Sequence, residues 1–146
     1  MELRITRLIA APPQAVFRLY VDPDKLGLWQ PGVRGVREAT GPLDQVGSSY
    51  VLDQSGPPLR MTVQAAEPPR LHQQLESVGW YAWVGTARFE AADGGRTRFS
   101  YTYRPHGRFG WLSFPLVALG AAIIGRTEFS RLRELAESDW AGRDQV

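Results

Sequence analysis

The sequence predicts an α+β fold in which an antiparallel sheet of about seven strands packs against a long C-terminal helix. Between Val33 and His106, short segments of alternating apolar and polar residues follow one another, and the turns between them are too short to hold helices. From Gly107 onward an uncharged run leads into a helical pattern of apolar residues. At 146 residues the chain has the length of a single domain, which is the organisation we expect.

Two short helices are predicted after the first strand. Residues 2–10 alternate as a strand and end before Pro12. The segment PPQAVFRLY can begin a helix, because proline is tolerated in a first turn. Asp22 followed by Pro23 has the form of an N-cap and first residue of a second helix, which ends at Pro31.

Six further strands complete the predicted sheet. The sequence Asp93-Gly94-Gly95 is a hairpin signal between the last two of them. Paired Pro and Gly residues mark most of the other turns. The predicted strands are residues 33–40, 48–54, 59–67, 70–78, 80–91 and 96–104.

Strand alternation assigns side chains to the two faces of the sheet. It assigns outward positions to His72, to Asp53, Glu76 and Glu90, and to an arginine stripe at positions 88, 96, 98 and 104. The predicted inner face carries several aromatic rings and an amide. Its members are Tyr50, Met61, Gln73, Tyr81, Trp83, Phe99, Tyr101 and Tyr103.

The last helix has two unlike sides in its first half. The apolar stripe of Phe129, Leu132, Leu135 and Ala136, continued backward, meets small residues at Ala118, Ala121, Ala122 and Gly125. The opposite side carries Leu112, Leu116, Leu119 and Ile123. We expect the N-terminal helices to cover that side, with a second subunit or a membrane surface as alternatives.

Several classes of protein are disfavoured by composition. With no cysteine there can be no disulfide or thiolate chemistry, and only two histidines are available for a metal site. A net charge of +2 without a concentrated basic patch argues against nucleic-acid binding. The uncharged run, 109–125, lies at the low edge of membrane-spanning length and contains Pro115, so no membrane span is expected. The N-terminus does not resemble a secretory signal, and we expect a cytoplasmic protein, monomeric or homodimeric.

The inner face predicts a pocket. Phenol, amide and indole groups would each need a partner in a dry core, at roughly 1–3 kcal/mol for each group left unpaired. A cavity that holds a ligand removes this cost, particularly beside the small residues Ala118 and Ala122. Trp29 would lie near the mouth of the cavity. The alternative is that the rings fill an ordinary core with their hydroxyls at its rim.

The order of elements and several segments resemble the START-like or SRPBCC superfamily, which includes the Bet v 1-like and polyketide cyclase/dehydrase proteins. The resemblance rests on ITRLIAAPPQAVFRLYVDPDKLGLWQPGV, VGSSY, AAEPPRL, GGRTRFSYTY and FSRLRELAES, and it covers about residues 3–137. It implies a helix-grip fold, in which a curved sheet surrounds the C-terminal helix and a hydrophobic ligand cavity lies between them. No motif of that superfamily is catalytic in all its members.

Three functions remain open from the sequence. The first is a carrier or sensor of a small hydrophobic or aromatic ligand such as a lipid, a polyketide-like ring system or a quinone, with no cofactor. The second is a cyclase or dehydratase acting in the same cavity, which the absence of an inward acid or base disfavours. The third is a protein-interaction module that uses the arginine stripe. No phosphate-binding glycine loop or nucleophile elbow occurs.

Overall fold

A seven-stranded antiparallel sheet and one long helix form the framework of the described chain. The computed structural model describes residues 1–144. The strands lie in the order β1-β7-β6-β5-β4-β3-β2, so the predicted α+β helix-grip arrangement is confirmed. The elements are β1 (Leu3–Ile9), α1 (Pro13–Tyr20), α2 (Leu26–Trp29), β2 (Val33–Arg37), β3 (Ser49–Gln54), β4 (Leu59–Glu67), β5 (Leu71–Val78), β6 (Tyr81–Ala92), β7 (Arg96–Pro105) and α3 (Gly107–Asp144).

The start of the second short helix differs from the prediction. Asp22 does not cap a helix; its Oδ1 accepts a hydrogen bond from the N–H of Asp24 at 3.0 Å. This bond forms a local turn, and α2 begins only at Leu26. An aspartate that bonds the backbone two residues later favours a turn as readily as a helix, which is why the Asp-Pro pair was misleading.

An aromatic cluster fills the core between α1, α2, the sheet and the second half of α3. Tyr20 stacks on Trp29 with ring centroids 5.5 Å apart, and Phe99 lies 5.1 Å from Phe129. Trp29 is only 1% exposed, so it belongs to this core and not to the mouth of a cavity. Reasoning from the sequence did not predict that α2 directs the Trp29 indole into the core.

The two halves of α3 meet different surroundings. Phe129 and Leu132 are buried, and Lys25 pairs with Asp139 across 3.6 Å at the second half of the helix. In the first half Ala121 and Gly125 face the sheet as predicted, whereas Ala118 and Ala122 lie beside that face. Leu112 and Leu116 are 78% and 75% exposed. The predicted cover by the N-terminal helices is therefore wrong, because those helices pack near the other end of α3.

Helix α3 is long and apolar enough to pass as a membrane-spanning helix by length and composition alone. Core helices of α+β folds satisfy the same test. Here Phe114, Phe129 and Leu132 pack inside the fold. The apolar stretch itself is 11% buried, so the contribution of α3 to the core comes mainly from its second half.

Strand β5 presents the face opposite to the predicted one. Its buried residues are His72, Gln74 and Glu76, while Gln73 lies on the outer face and bonds the exposed Gln64. The alternation of Leu71 and Leu75 had predicted that these leucines and Gln73 face inward. Three polar side chains can be buried here because each has a partner inside, which removes most of the cost of desolvation.

The outer face of the sheet carries the arginines that alternation placed there. Arg88, Arg96, Arg98 and Arg104 are all exposed. Arg104 Nε lies 3.7 Å from a carboxylate oxygen of Glu2, and Arg96 donates to the carbonyl of Asp93. Exposed pairs of this kind contribute little to stability.

Candidate functional site

A cavity of about 420 Å³ lies between the sheet and the first half of α3. Its sheet wall is apolar and aromatic, and its rim is polar, with contributions from Gln30, Gln54 and Ser55. This size and this mixture of surfaces are typical of small-molecule sites. The sheet wall consists of Val33, Leu59, Val78, Tyr81 and Trp83, with Tyr101 and Tyr103 deeper inside.

The helix wall exists because its residues are small. A methyl group added at Gly125 would lie 2.8 Å from Ile5 Cδ1 and 3.0 Å from the hydroxyl of Tyr103. The helix thus approaches β1 and β7 closely at Gly125, while one turn earlier Ala121 and Gly120 leave open space. Val117, Ile124 and Glu128 complete this wall.

A carboxyl group and a phenol meet at the inner end of the cavity. Tyr101 donates a hydrogen bond to Oε2 of Glu76, and both side chains are buried. The pair fits only because β6 has a glycine opposite it. A Cβ at Gly85 would lie 2.0 Å from the hydroxyl of Tyr101 and 2.1 Å from Oε2 of Glu76. Gly85 marks no bulge, since β6 pairs with both neighbours without a register shift there.

The environment at this end of the cavity favours the protonated forms of Glu76 and Tyr101. Burial raises the pKa of Glu76 to about 7, and the hydrogen bond from Tyr101 opposes that rise in part. Burial also raises the pKa of the Tyr101 phenol, and the nearby charge of Glu76 raises it further. A carboxyl group with a pKa near neutrality can both donate and accept a proton under ordinary conditions.

A second carboxyl group enters the cavity from α3. Glu128 is half-buried at the cavity wall, and this partial burial raises its pKa to about 8, with the negative charge of Glu76 adding to the effect. In residues 1–144, Glu128 has neither an ion-pair partner nor a side-chain hydrogen bond. No group of three or more His, Asp or Glu side chains close enough to hold a metal ion occurs in the same range.

Trp83 offers a donor to whatever occupies the cavity. Its ring lines the wall, and its buried indole N–H lies near the Glu76 carboxyl group, whose pKa it lowers, without forming a hydrogen bond of ordinary geometry. A buried donor of this kind normally has a partner. A ligand acceptor would supply one.

A separate small void of about 10 Å³ lies under α1, the size of one water-binding position. Tyr50 donates to Oε1 of Gln74 at 2.5 Å, and Nε2 of His72 donates to the carbonyl of Leu43 at 2.7 Å. Burial lowers the pKa of His72, which is therefore neutral with its Nδ1 free to accept. These groups stabilise the interior, and Tyr50 lines this void, not the larger cavity.

The structure brings together four of the predicted ligand-contacting residues. Tyr81, Trp83, Tyr101 and Tyr103 line the cavity. The others lie elsewhere: Trp29, Met61 and Phe99 in the core, Tyr50 at the small void, Gln73 on the outer face, and Ala118 and Ala122 on α3 beside the cavity wall.

Two carboxyl groups were missed by reasoning from the sequence. Glu76 was assigned outward together with His72, whereas in the structure it is buried and lines the cavity. Glu128 carried a usable signal, because it follows Ala121 and Gly125 at helical spacing and so continues the small-residue side of α3. The signal for Glu76 was weaker. It is Gly85 in the neighbouring strand, since a glycine inside a strand often marks a place where another group approaches closely.

Comparison with solved structures finds the same fold in proteins of low sequence identity. Protein MLL2253 from Mesorhizobium loti is 16% identical, with a TM-score of 0.78 over 94% of this chain and 98% of that one. DynU16, from the dynemicin biosynthetic locus, is 18% identical with a TM-score of 0.70, covering 95% of this chain and 48% of DynU16. An HSP90 activator from Plasmodium falciparum is 18% identical with a TM-score of 0.57, over 71% and 72% of the two chains.

Sequence comparison gives a family but no individual relative. No curated protein matches the chain. A family model described as "Polyketide cyclase / dehydrase and lipid transport" matches residues 1–137, which includes the sheet, both short helices and most of α3. The match spans every residue that lines the cavity, and the fold agrees with it. The chain therefore belongs to the polyketide cyclase/dehydrase and lipid transport family, within the SRPBCC superfamily.

Proposed function

We propose that the protein binds a small hydrophobic or aromatic molecule in the cavity between the sheet and α3, as a carrier or sensor of that molecule. The main support for this proposal is the cavity itself, which combines apolar and aromatic walls with a few convergent polar groups. The apolar body of a lipid, polyketide-like or quinone ligand would contact Val78 and Val117. Its polar end would reach the Glu76–Tyr101 pair.

The first experiment is native mass spectrometry of the purified protein, followed by mass spectrometry of its organic extract. We expect a co-purifying hydrophobic molecule, or a rise in melting temperature with members of acyl, aromatic or quinone libraries. An empty protein with no thermal shift in any of these libraries would contradict the proposal.

A matched pair of variants locates the ligand. Ala121 lines the cavity and its neighbour Ala122 does not. Ala121→Leu should reduce ligand binding at least about tenfold by filling the space, whereas Ala122→Leu should change affinity much less. Equal losses in the two variants, at similar melting temperatures, would place the ligand elsewhere.

Acid–base catalysis in the same cavity is a second candidate function, supported by the position of Glu76. The argument against an enzyme was the absence of an inward acid, and this carboxyl group with a pKa of about 7 lies at the cavity end. The family description includes cyclases and dehydrases, and DynU16 comes from a biosynthetic locus. Glu76 would transfer a proton at a carbon or oxygen beside a substrate carbonyl, with Tyr101 orienting it.

Turnover of a polyketide-like substrate separates the two functions. For an enzyme, Glu76→Gln should lower kcat by about 10²–10⁴-fold with a smaller change in KM. Tyr101→Phe should shift the pH profile, while Glu90→Gln on the outer face should alter neither. Binding without any turnover would leave the carrier function in place and remove the catalytic one.

A further inference from the structure

All the ionisable side chains that line the cavity are acidic. Glu76 and Glu128 contribute two carboxyl groups, and the lining contains no Lys, Arg or His among the described residues. The chain as a whole carries 17 basic residues against 15 acidic ones, so the absence of basic side chains is local to this cavity. A ligand that neutralises the two carboxylates would have to bring the positive charge itself.

Both carboxyl groups have unused hydrogen-bonding capacity. The Glu76 side chain is more than nine-tenths buried, and its Oε2 accepts a hydrogen bond from Tyr101. The indole N–H of Trp83 lies close enough to lower the pKa of this carboxyl group but forms no hydrogen bond of ordinary geometry with it. Glu128, which reaches the cavity from the opposite wall, has no partner within residues 1–144. Burial raises the pKa of both groups because ionising them without a partner is costly, and a bound cationic donor removes that cost.

The rings around these carboxyl groups suit a cation. Trp83 and Tyr81 line the outer part of the sheet wall, and Tyr101 and Tyr103 lie 4.7 Å apart, centroid to centroid, at the inner end. An aromatic ring attracts an ammonium group over its face, more strongly where water is excluded. Carboxylates and aromatic faces on a single cavity thus favour the same chemical class.

We propose that the cavity binds an organic cation, an apolar or aromatic molecule whose protonated amine lies between Glu76 and Glu128. This inference rests on the proposed ligand-binding function and adds the class of ligand. The apolar body contacts Val33, Leu59 and Val117, and the ammonium donates to Oε1 of Glu76 and to the carboxylate of Glu128. An anionic ligand of the same shape is disfavoured, because the lining has no basic side chain to pair with it and an ionised carboxyl group would repel it.

The test compares three probes of one shape: 2-naphthylmethylamine, 2-naphthylmethanol and 2-naphthoate. Isothermal titration calorimetry at about pH 7.5 should give the amine an affinity at least about tenfold above that of the alcohol, with no measurable binding of the carboxylate. The amine should also release protons from the carboxyl groups of the protein. This release appears as a dependence of the heat on the ionisation enthalpy of the buffer, and the alcohol should not show it.

Variants assign the preference to the cavity. Glu128→Gln and Glu76→Gln should each lower the ratio of amine to alcohol affinity about tenfold. Glu90→Gln, on the outer face, should leave this ratio unchanged. Glu128 lies near the cavity surface, so its variant keeps the test valid if Glu76→Gln folds poorly.

The outcomes separate the two proposals. An alcohol that binds as tightly as the amine, or a carboxylate that binds more tightly, overturns the cation inference and leaves ligand binding in place. If none of the three probes binds, the cation inference is overturned, and the mass spectrometry and library screen described above decide ligand binding separately. A preference for the amine that survives Glu128→Gln and Glu76→Gln in folded protein also overturns the inference, because the selectivity would then come from another surface.

Discussion

At the scale of single residues, the site depends on a glycine that touches no ligand. Gly85 lies in the middle of β6, where the phenol of Tyr101 meets the carboxyl of Glu76. Any side chain at this position would occupy the space of that hydrogen bond. The residue that builds the polar end of the cavity is therefore one with no functional group.

Gly85→Ala should lower the free energy of unfolding by at least about 2 kcal/mol, since the new methyl group overpacks the site and separates the Tyr101–Glu76 pair. Gly35→Ala is the matched control, because Gly35 is also a strand glycine and a Cβ there meets nothing within 4 Å. We expect a change within about 0.5 kcal/mol for this control in urea denaturation. Equal effects of the two substitutions would show that the pair is not held as described.

At the scale of elements, helix α3 should divide into a half that determines stability and a half that does not. Leu132 is fully buried against the core, and Leu119 is 61% exposed on the same helix. Leu132→Ala should cost about 2–5 kcal/mol. Leu119→Ala should change the free energy of unfolding by no more than about 0.5 kcal/mol. Comparable losses, measured by chemical denaturation, would mean that the exposed side is covered in solution.

The strands show where reasoning from the sequence succeeded and where it could not. Alternation assigned the faces of β6 and β7 correctly, because arginines alternate there with aromatic residues and only one face can be dry. In β5 the sequence does not decide which face is buried, because one face carries Leu71 and Leu75 and the other carries His72, Gln74 and Glu76. The partners that decide it, Leu43, Tyr50 and Tyr101, come from distant segments. No local pattern encodes those long-range bonds, so the acidic end of the cavity stayed hidden.

At the scale of the whole molecule, the two cavity carboxyl groups should make stability depend on pH. The pKa values of Glu76 and Glu128 are raised to about 7 and about 8, above the ordinary 4.5 of the unfolded chain. Up to about pH 8 the folded chain therefore keeps protons that the unfolded chain has released, and the free energy of unfolding falls as pH rises. Burial lowers the pKa of His72, so this residue has the opposite effect: it lowers the free energy of unfolding as pH falls through about 6.5, where the unfolded chain binds the proton.

The melting temperature should thus fall by about 5 °C between pH 6.5 and 8. The other titratable groups that face Glu76 are the phenols of Tyr20, Tyr50, Tyr101 and Tyr103, and burial raises their pKa values away from this window. Glu76→Gln and Glu128→Gln should each flatten the dependence, and the exposed Glu90→Gln should not. A flat profile for the unaltered protein, measured by calorimetry, would contradict the burial of these carboxyl groups.

The uneven packing of α3 has a consequence for how the protein moves. Residues 107–120 have few buried neighbours, and Pro115 cannot donate the backbone hydrogen bond that its position would give to the carbonyl of Trp111. Local unfolding of this half should therefore need less free energy than opening the half around Phe129 and Leu132. Backbone amides of the first half should exchange hydrogen faster than those of the second.

Val117, Gly120 and Ala121 form the helix wall of the cavity and lie at the junction of the two halves. Fraying of the first half uncovers the cavity without disturbing the aromatic core beneath the second half. A guest molecule could then enter and leave by transient melting of one helix end while the sheet stays intact. The same opening would become rarer once the guest is bound, and slower amide exchange at these three positions would report it.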